Sequence, residues 1–158
     1  MTIIERAASG DFEHICALDE TVHAGPPRRR IIGEACAQGR VAVARVDDTV
    51  RGFVIFDESF FDQFFVRLLL VHPDFRRRGL ATALMRAAEL DCQTGKLFTS
   101  TNQSNIPMQR LCERLGFVKS GYVENLDEGD PELIYLKMLT PVPGMPPQEP
   151  NLSDRDDR

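Results

Sequence analysis

The sequence predicts an α/β domain, with a mixed, mostly antiparallel twisted sheet of about seven strands, a central parallel strand-helix-strand unit and about four flanking helices. Two observations predict it. Phe64–Val71 is apolar at all but one position, too short for an ordinary helix and stopped by Pro73, so it reads as a buried strand. Leu80, Ala81, Leu84, Met85, Ala87, Ala88 and Leu90 then recur at helical spacing, and Lys96–Ser100 is a second strand beyond Gly95, a length suited to a right-handed parallel crossover. The second observation is a hairpin pattern: Val41–Val46 and Val50–Asp57 are β-rich and separated by a short acidic turn at Asp47 and Asp48.

The remaining elements fill in around these. Thr2–Arg6 is a short first strand, and Ser9 or Asp11 is placed to cap a helix carrying Phe12, Ile15, Cys16 and Leu18 on one side. Gly25-Pro26-Pro27 breaks the chain before a second helix from about Arg28 to Gly39. The connection Asp57–Gln63 reads as a polar loop holding two exposed aromatics, Phe60 and Phe61, which suit an apolar acceptor surface. After the crossover, Asn105-Ile106-Pro107 opens a helix with Met108, Leu111, Cys112 and Leu115 on its inner face, and Gly116 stops it. Gly121–Asn125 and Leu133–Leu139 complete the sheet. Residues 1–139 are therefore expected to form one domain, and 140–158, rich in proline and then acidic, a tail with too little apolar surface to offset ordering.

The join at residues 71–82 is chemically odd. A helix start carries about half a positive charge and disfavours cations by roughly 0.3–1 kcal/mol, yet Arg76, Arg77 and Arg78 stand there. They make sense beside an anion, and Gly79 would let that anion approach the backbone. A phosphate or pyrophosphate is the implied ligand; a solvated basic turn is the alternative. Arg28, Arg29 and Arg30 crowd another helix start, and there a solvent-facing charge run is the simpler reading, with Arg30 a candidate contact to an acceptor.

Arg76-x-x-Gly79-x-Ala81, preceded by Leu69-Leu70-Val71-His72-Pro73 and followed by Asn105 and Leu115-Gly116-Phe117, resembles the acetyl-CoA signature of the GNAT superfamily of N-acetyltransferases. The resemblance implies acetyl-CoA as cosubstrate. Its pantetheine arm would run beside the backbone of Leu69, Leu70 and Val71, its pyrophosphate would meet Arg76, Arg77, Arg78, Gly79, Leu80, Ala81 and Thr82, and Asn105 would reach the pantetheine. It also implies direct attack of a primary amine on the thioester. An amine with a pKa near 10.4 is only about one part in a few thousand neutral at pH 7, a cost of roughly 4–5 kcal/mol that a base would lower. Asp62 and Glu124 are candidates. The chain departs from the family where a tyrosine commonly protonates the leaving thiolate: Cys112 stands there, either as donor or, continuing an apolar stripe, as packing.

Composition narrows the rest. A net charge of -5 argues against nucleic-acid and anionic-membrane binding. Four scattered cysteines, with no Cys-x-x-Cys pair and no clustered histidines, suggest neither a metal site nor disulfides. Met1–Arg6 lacks the layout of a signal peptide and no apolar run is of membrane-spanning length, so a cytoplasmic protein is expected. Two functions fit: an N-acetyltransferase acting on a small amine, or an acyl-CoA-binding regulatory module that has lost catalysis with the tyrosine. Edge strands and the tail could support a homodimer.

Overall fold

The computed structural model describes residues 1–139; the expected tail, 140–158, lies outside them. Seven strands and four α-helices are present among the described residues, in the predicted order. They fall into two compact units, Met1–Gln93 and the residues from Thr94 on.

In the first unit, β1 (Thr2–Arg6), β2 (Val41–Val46), β3 (Thr49–Phe60) and β4 (Gln63–Val71) are antiparallel neighbours in that order. Helices α1 (Phe12–Val22) and α2 (Arg29–Ala37) cover one face, where Ile15, Leu18, Ile32 and Ala35 pack on Val43, Phe53, Ile55 and Leu70. Helix α3 (Leu80–Asp91) covers the other through Leu84, Met85 and Ala88. Gly52 permits that contact, since a Cβ there would lie 3.1 Å from both the Leu70 oxygen and Leu84 Cδ1. The start of α3 is thereby fixed against the end of β4, where Val71 pairs with Gly52.

Three local expectations change. Asp11 makes no side-chain cap to α1: its carboxylate turns back to the Ala8 N–H at 2.7 Å, closing the short 3-10 turn before that helix, and binds the Arg45 guanidinium at 2.6 Å, so a buried acid is held by a cation. The loop expected at 57–63 is a continuation of β3 and β4, closed by Phe61 and Asp62 at φ +51° and +61° in a two-residue turn of the kind hairpins favour. The flanking aromatics carry it, Phe60 stacking on Phe65 and Phe56 on Phe64 with centroids 5.2 and 5.3 Å apart. Finally, Ile55 pairs with Leu68 but Phe56 with Val66, so Arg67 is an extra, bulged residue in β4.

In the second unit, β5 (Lys96–Asn102) pairs antiparallel with β7 (Glu132–Met138), and β6 (Val118–Val123) lies on the far side of β7. Helix α4 (Ile106–Arg114) buries Leu111 and Cys112 and ends at Gly116, φ +88°. The loop after β6 is anchored by Asn102 donating to Asp127 at 2.7 Å and by Asp130 accepting from Ser104.

Candidate active site

The end of β4 leads through His72 into a single 3-10 turn, Pro73–Phe75, and then through Arg76–Gly79 into α3. Pro73 stops the strand, and His72 shapes the turn by accepting the Asp74 N–H on Nδ1 at 3.1 Å. Arg77 and Gly79 both adopt left-handed backbone, φ +61° and +81°. Only the second is easy for its residue type, so Arg77 carries backbone strain in the turn itself. The first bond of α3 runs from the Ala83 N–H to the Gly79 oxygen at 3.0 Å. The N–H groups of Leu80, Ala81 and Thr82 thus precede the helical ladder and have no acceptor within it. A Cβ built on Gly79 meets no atom within 4 Å, so open space lies against the backbone at the helix start. Free amides, helix dipole and open space are the features that suit an anion.

The arginines divide their tasks in a way the sequence did not show. Arg76 donates from Nε to the Val71 oxygen at 3.2 Å, closing the turn onto the strand. Arg78 lies over the Phe75 ring, 4.9 Å from its centroid, and Arg51 over the same ring at 4.5 Å. Arg77 extends from the strained position and is exposed. Two of the three guanidinium groups are thus engaged in the turn itself, Arg76 through Nε and Arg78 through the Phe75 ring. Of the strand residues expected beside the pantetheine, Leu70 and Val71 are buried and Leu69 half-buried.

Upstream on β4, the bulge brings Arg67 into a cleft of about 620 Å³ with His23, Arg28, Arg30 and Ile31. This volume suits a small ligand. Its floor is preorganised: Arg28 forms a two-nitrogen contact with Asp19, a carboxylate only 1% exposed, which fixes the link between α1 and α2. The His23 ring lies where a Cβ on Gly25 would stand, 2.6 Å from Nε2. Arg30 pairs with Glu34 one turn on at 3.0 Å. In the sequence Arg67 is only the one charge interrupting an apolar run, and its place in the cleft follows a bulge that no residue type announces.

The other candidates are placed as follows. Cys112 is fully buried, and burial pushes its thiol up to about 12. Of the two alternatives for Cys112, proton donor and packing, this burial favours packing. Asp62 forms the tip of the β3–β4 hairpin, and Phe61 beside it is 85% exposed, while Phe60 is half-buried on Phe65 rather than one of an exposed pair. In the second unit Asn105 caps α4, its side-chain oxygen accepting the Met108 N–H at 3.3 Å. Glu124 is exposed just after β6, and Tyr122 on that strand is 64% exposed. Among the described residues no group of His, Cys, Asp or Glu could hold a metal ion, and no helix is long and apolar enough to cross a membrane.

The family model described as acetyltransferase (GNAT) family matches residues 9–117. A GNAT-family acetyltransferase from Bacillus cereus ATCC 10987 is 38% identical, with a TM-score of 0.84 over 89% of this chain and 99% of that one. The chain belongs to the GNAT acetyltransferase family and has its mixed α/β fold. The ribosomal-protein-S18-alanine N-acetyltransferase of Escherichia coli shares the fold at 19% identity, with a TM-score of 0.77 over 90% of this chain and 96% of that one. So does Arabidopsis thaliana NAA60, solved with a bisubstrate analogue, at 15% identity and a TM-score of 0.73 over 87% and 98%. No curated protein matches.

Proposed function

We propose that this protein is an acetyl-CoA-dependent N-acetyltransferase that acetylates a primary amine of a small molecule by direct attack. The observation that carries the reading is the turn before α3, where the amides of Leu80, Ala81 and Thr82 precede the helical ladder beside the open space at Gly79. A pyrophosphate bound there would take those amides and the Arg77 charge, with Arg76 and Arg78 holding the turn in shape. Acetyl-CoA supplies the activated acetyl group. The backbone of Leu69–Val71 is our assignment for the pantetheine arm; Asn105 is assigned a further contact through its amide nitrogen, since its oxygen serves the cap.

The cleft at Arg67 supports a small acceptor, with Arg30 as one contact. Glu124 and Asp62 are the candidate bases to relay the amine proton. With Cys112 buried, water or the exposed Tyr122 would protonate the departing thiolate. A thiol pKa near 8.5 makes the lack of a dedicated acid cost on the order of 2 kcal/mol at most.

The buried Cys112 also favours a second reading, an acyl-CoA-binding module without catalysis. A screen of small amines with detection of free CoA thiol separates the two: turnover with some acceptor supports the transferase, and CoA binding without turnover supports the module. Absence of CoA binding by calorimetry would remove both.

A further inference from the structure

A second cleft, of about 350 Å³, opens between α1 and the start of β3, with His14, Thr21, Arg45, Asp48, Arg51 and His72 on its walls. Its cations are not equally available. Arg45 is committed to Asp11 and Glu5. Arg51 lies over the Phe75 ring, 4.5 Å from its centroid, and its Nε is buried with no hydrogen-bond partner among the described residues. A buried guanidinium N–H without an acceptor is unfavourable unless a ligand supplies one. The nearby Asp47 carboxylate, whose Oδ1 binds the Met1 amino group at 2.9 Å, acts on Arg51 through charge without a hydrogen bond to its Nε. Asp48, the one acid on the cleft wall, is exposed in the β2–β3 turn. His72 adds a donor: with Nδ1 accepting from Asp74, neutral imidazole carries its proton on Nε2.

We propose that this cleft is a second anion site, taking a small oxyanion, carboxylate or phosphate, with the Arg51 fork as its main contact and His72 Nε2 beside it. A planar guanidinium prepositioned on an aromatic face suits the two-oxygen edge that both anions share. The site is separate from the turn before α3 but joined to it through Phe75, whose ring also carries Arg78. The proposal does not depend on the transferase reading.

Calorimetric titration of the full chain with inorganic phosphate and, separately, succinate tests it, and the tighter of the two identifies the anion's source. Saturable binding is expected that Arg51→Gln weakens at least tenfold, while Arg77→Glu removes only whatever anion binds in the turn. Should Arg51→Gln fail to fold, Arg51→Lys, which keeps the charge and loses the fork, is expected to show the same weakening. Binding that survives the Arg51 variants but is lost in Arg77→Glu would put the anion in the turn and overturn the proposal. So would the absence of saturable binding of either anion up to about 20 mM.

Discussion

Arg76 Nε donates to the Val71 carbonyl oxygen at 3.2 Å, so the first arginine of the turn is tied to the strand that feeds it. A side chain placed by sequence among the ligands of an anion instead holds the backbone that would bind it. Arg76→Ala should weaken CoA binding by about tenfold, the scale of one charge-assisted hydrogen bond, with little change in Tm. Calorimetry with CoA checks this, and unchanged affinity would show that the turn needs no brace.

Gly79 supports a sharper comparison. Its φ of +81° costs an L-residue about 1 kcal/mol, and no protein atom lies within 4 Å of a Cβ there. Gly79→Ala should therefore lower stability by only about that amount, yet lower CoA affinity by more than the stability change accounts for. Equal losses in both would mean that the space is not used by a ligand.

Much of this was legible in the residues. Periodicity and the Pro73 and Gly116 stops located the strands and helices, and the Arg76-to-Ala81 motif pointed to the turn. What escaped was tertiary. Asp11 looked like a cap because acids before a helix usually are, but Arg45, distant in sequence, offered a stronger partner. Residues 57–63 looked like a loop because they are polar, whereas cross-strand stacking of Phe60 on Phe65 extends the hairpin. The choice between donor and packing for Cys112 needed its burial, and the separate tasks of Arg76 and Arg78 needed coordinates.

Cys112 gives a pH prediction. Its folded value near 12 lies above the ordinary 9, so the folded state retains a proton that the unfolded chain releases. The stabilisation is complete below about pH 9 and declines as pH rises towards 12, by up to about 1.4 kcal/mol per unit from this group. Cys112→Ala should flatten that part of a urea-denaturation profile, cost on the order of 1 kcal/mol at neutral pH and keep most of the turnover. A loss of turnover above about a hundredfold with unchanged CoA affinity would return the thiol to the chemistry.

Asp19, 1% exposed, faces Arg28. Removing one partner of a fully buried pair costs about 3–5 kcal/mol, and the 22% exposure of the Arg28 side chain puts Asp19→Ala near the lower end. Chemical denaturation should show it, with the KM for the amine rising as the α1–α2 link loosens. A change below about 0.5 kcal/mol would mean that solvent replaces the pair.

Phe61 occupies a left-handed turn position while 85% exposed. Phe61→Asn should raise stability by about 0.4–1 kcal/mol, because asparagine suits the turn. If the ring meets the acceptor, the amine KM will rise as stability improves; an unchanged KM would confine Phe61 to the hairpin.

The extra residue at Arg67 puts the two halves of β4 out of phase. Val66 and Leu68, two positions apart, pair with the adjacent Phe56 and Ile55 and so look towards opposite sides of the sheet. Loss of the Arg67 codon would join two stretches that already face as a regular strand requires, leaving Val66 opposite Phe56 and Leu68 opposite Ile55. This stretch should therefore tolerate removal of the arginine as well as its replacement, whereas removal of Val66 or Leu68 would break an existing pair.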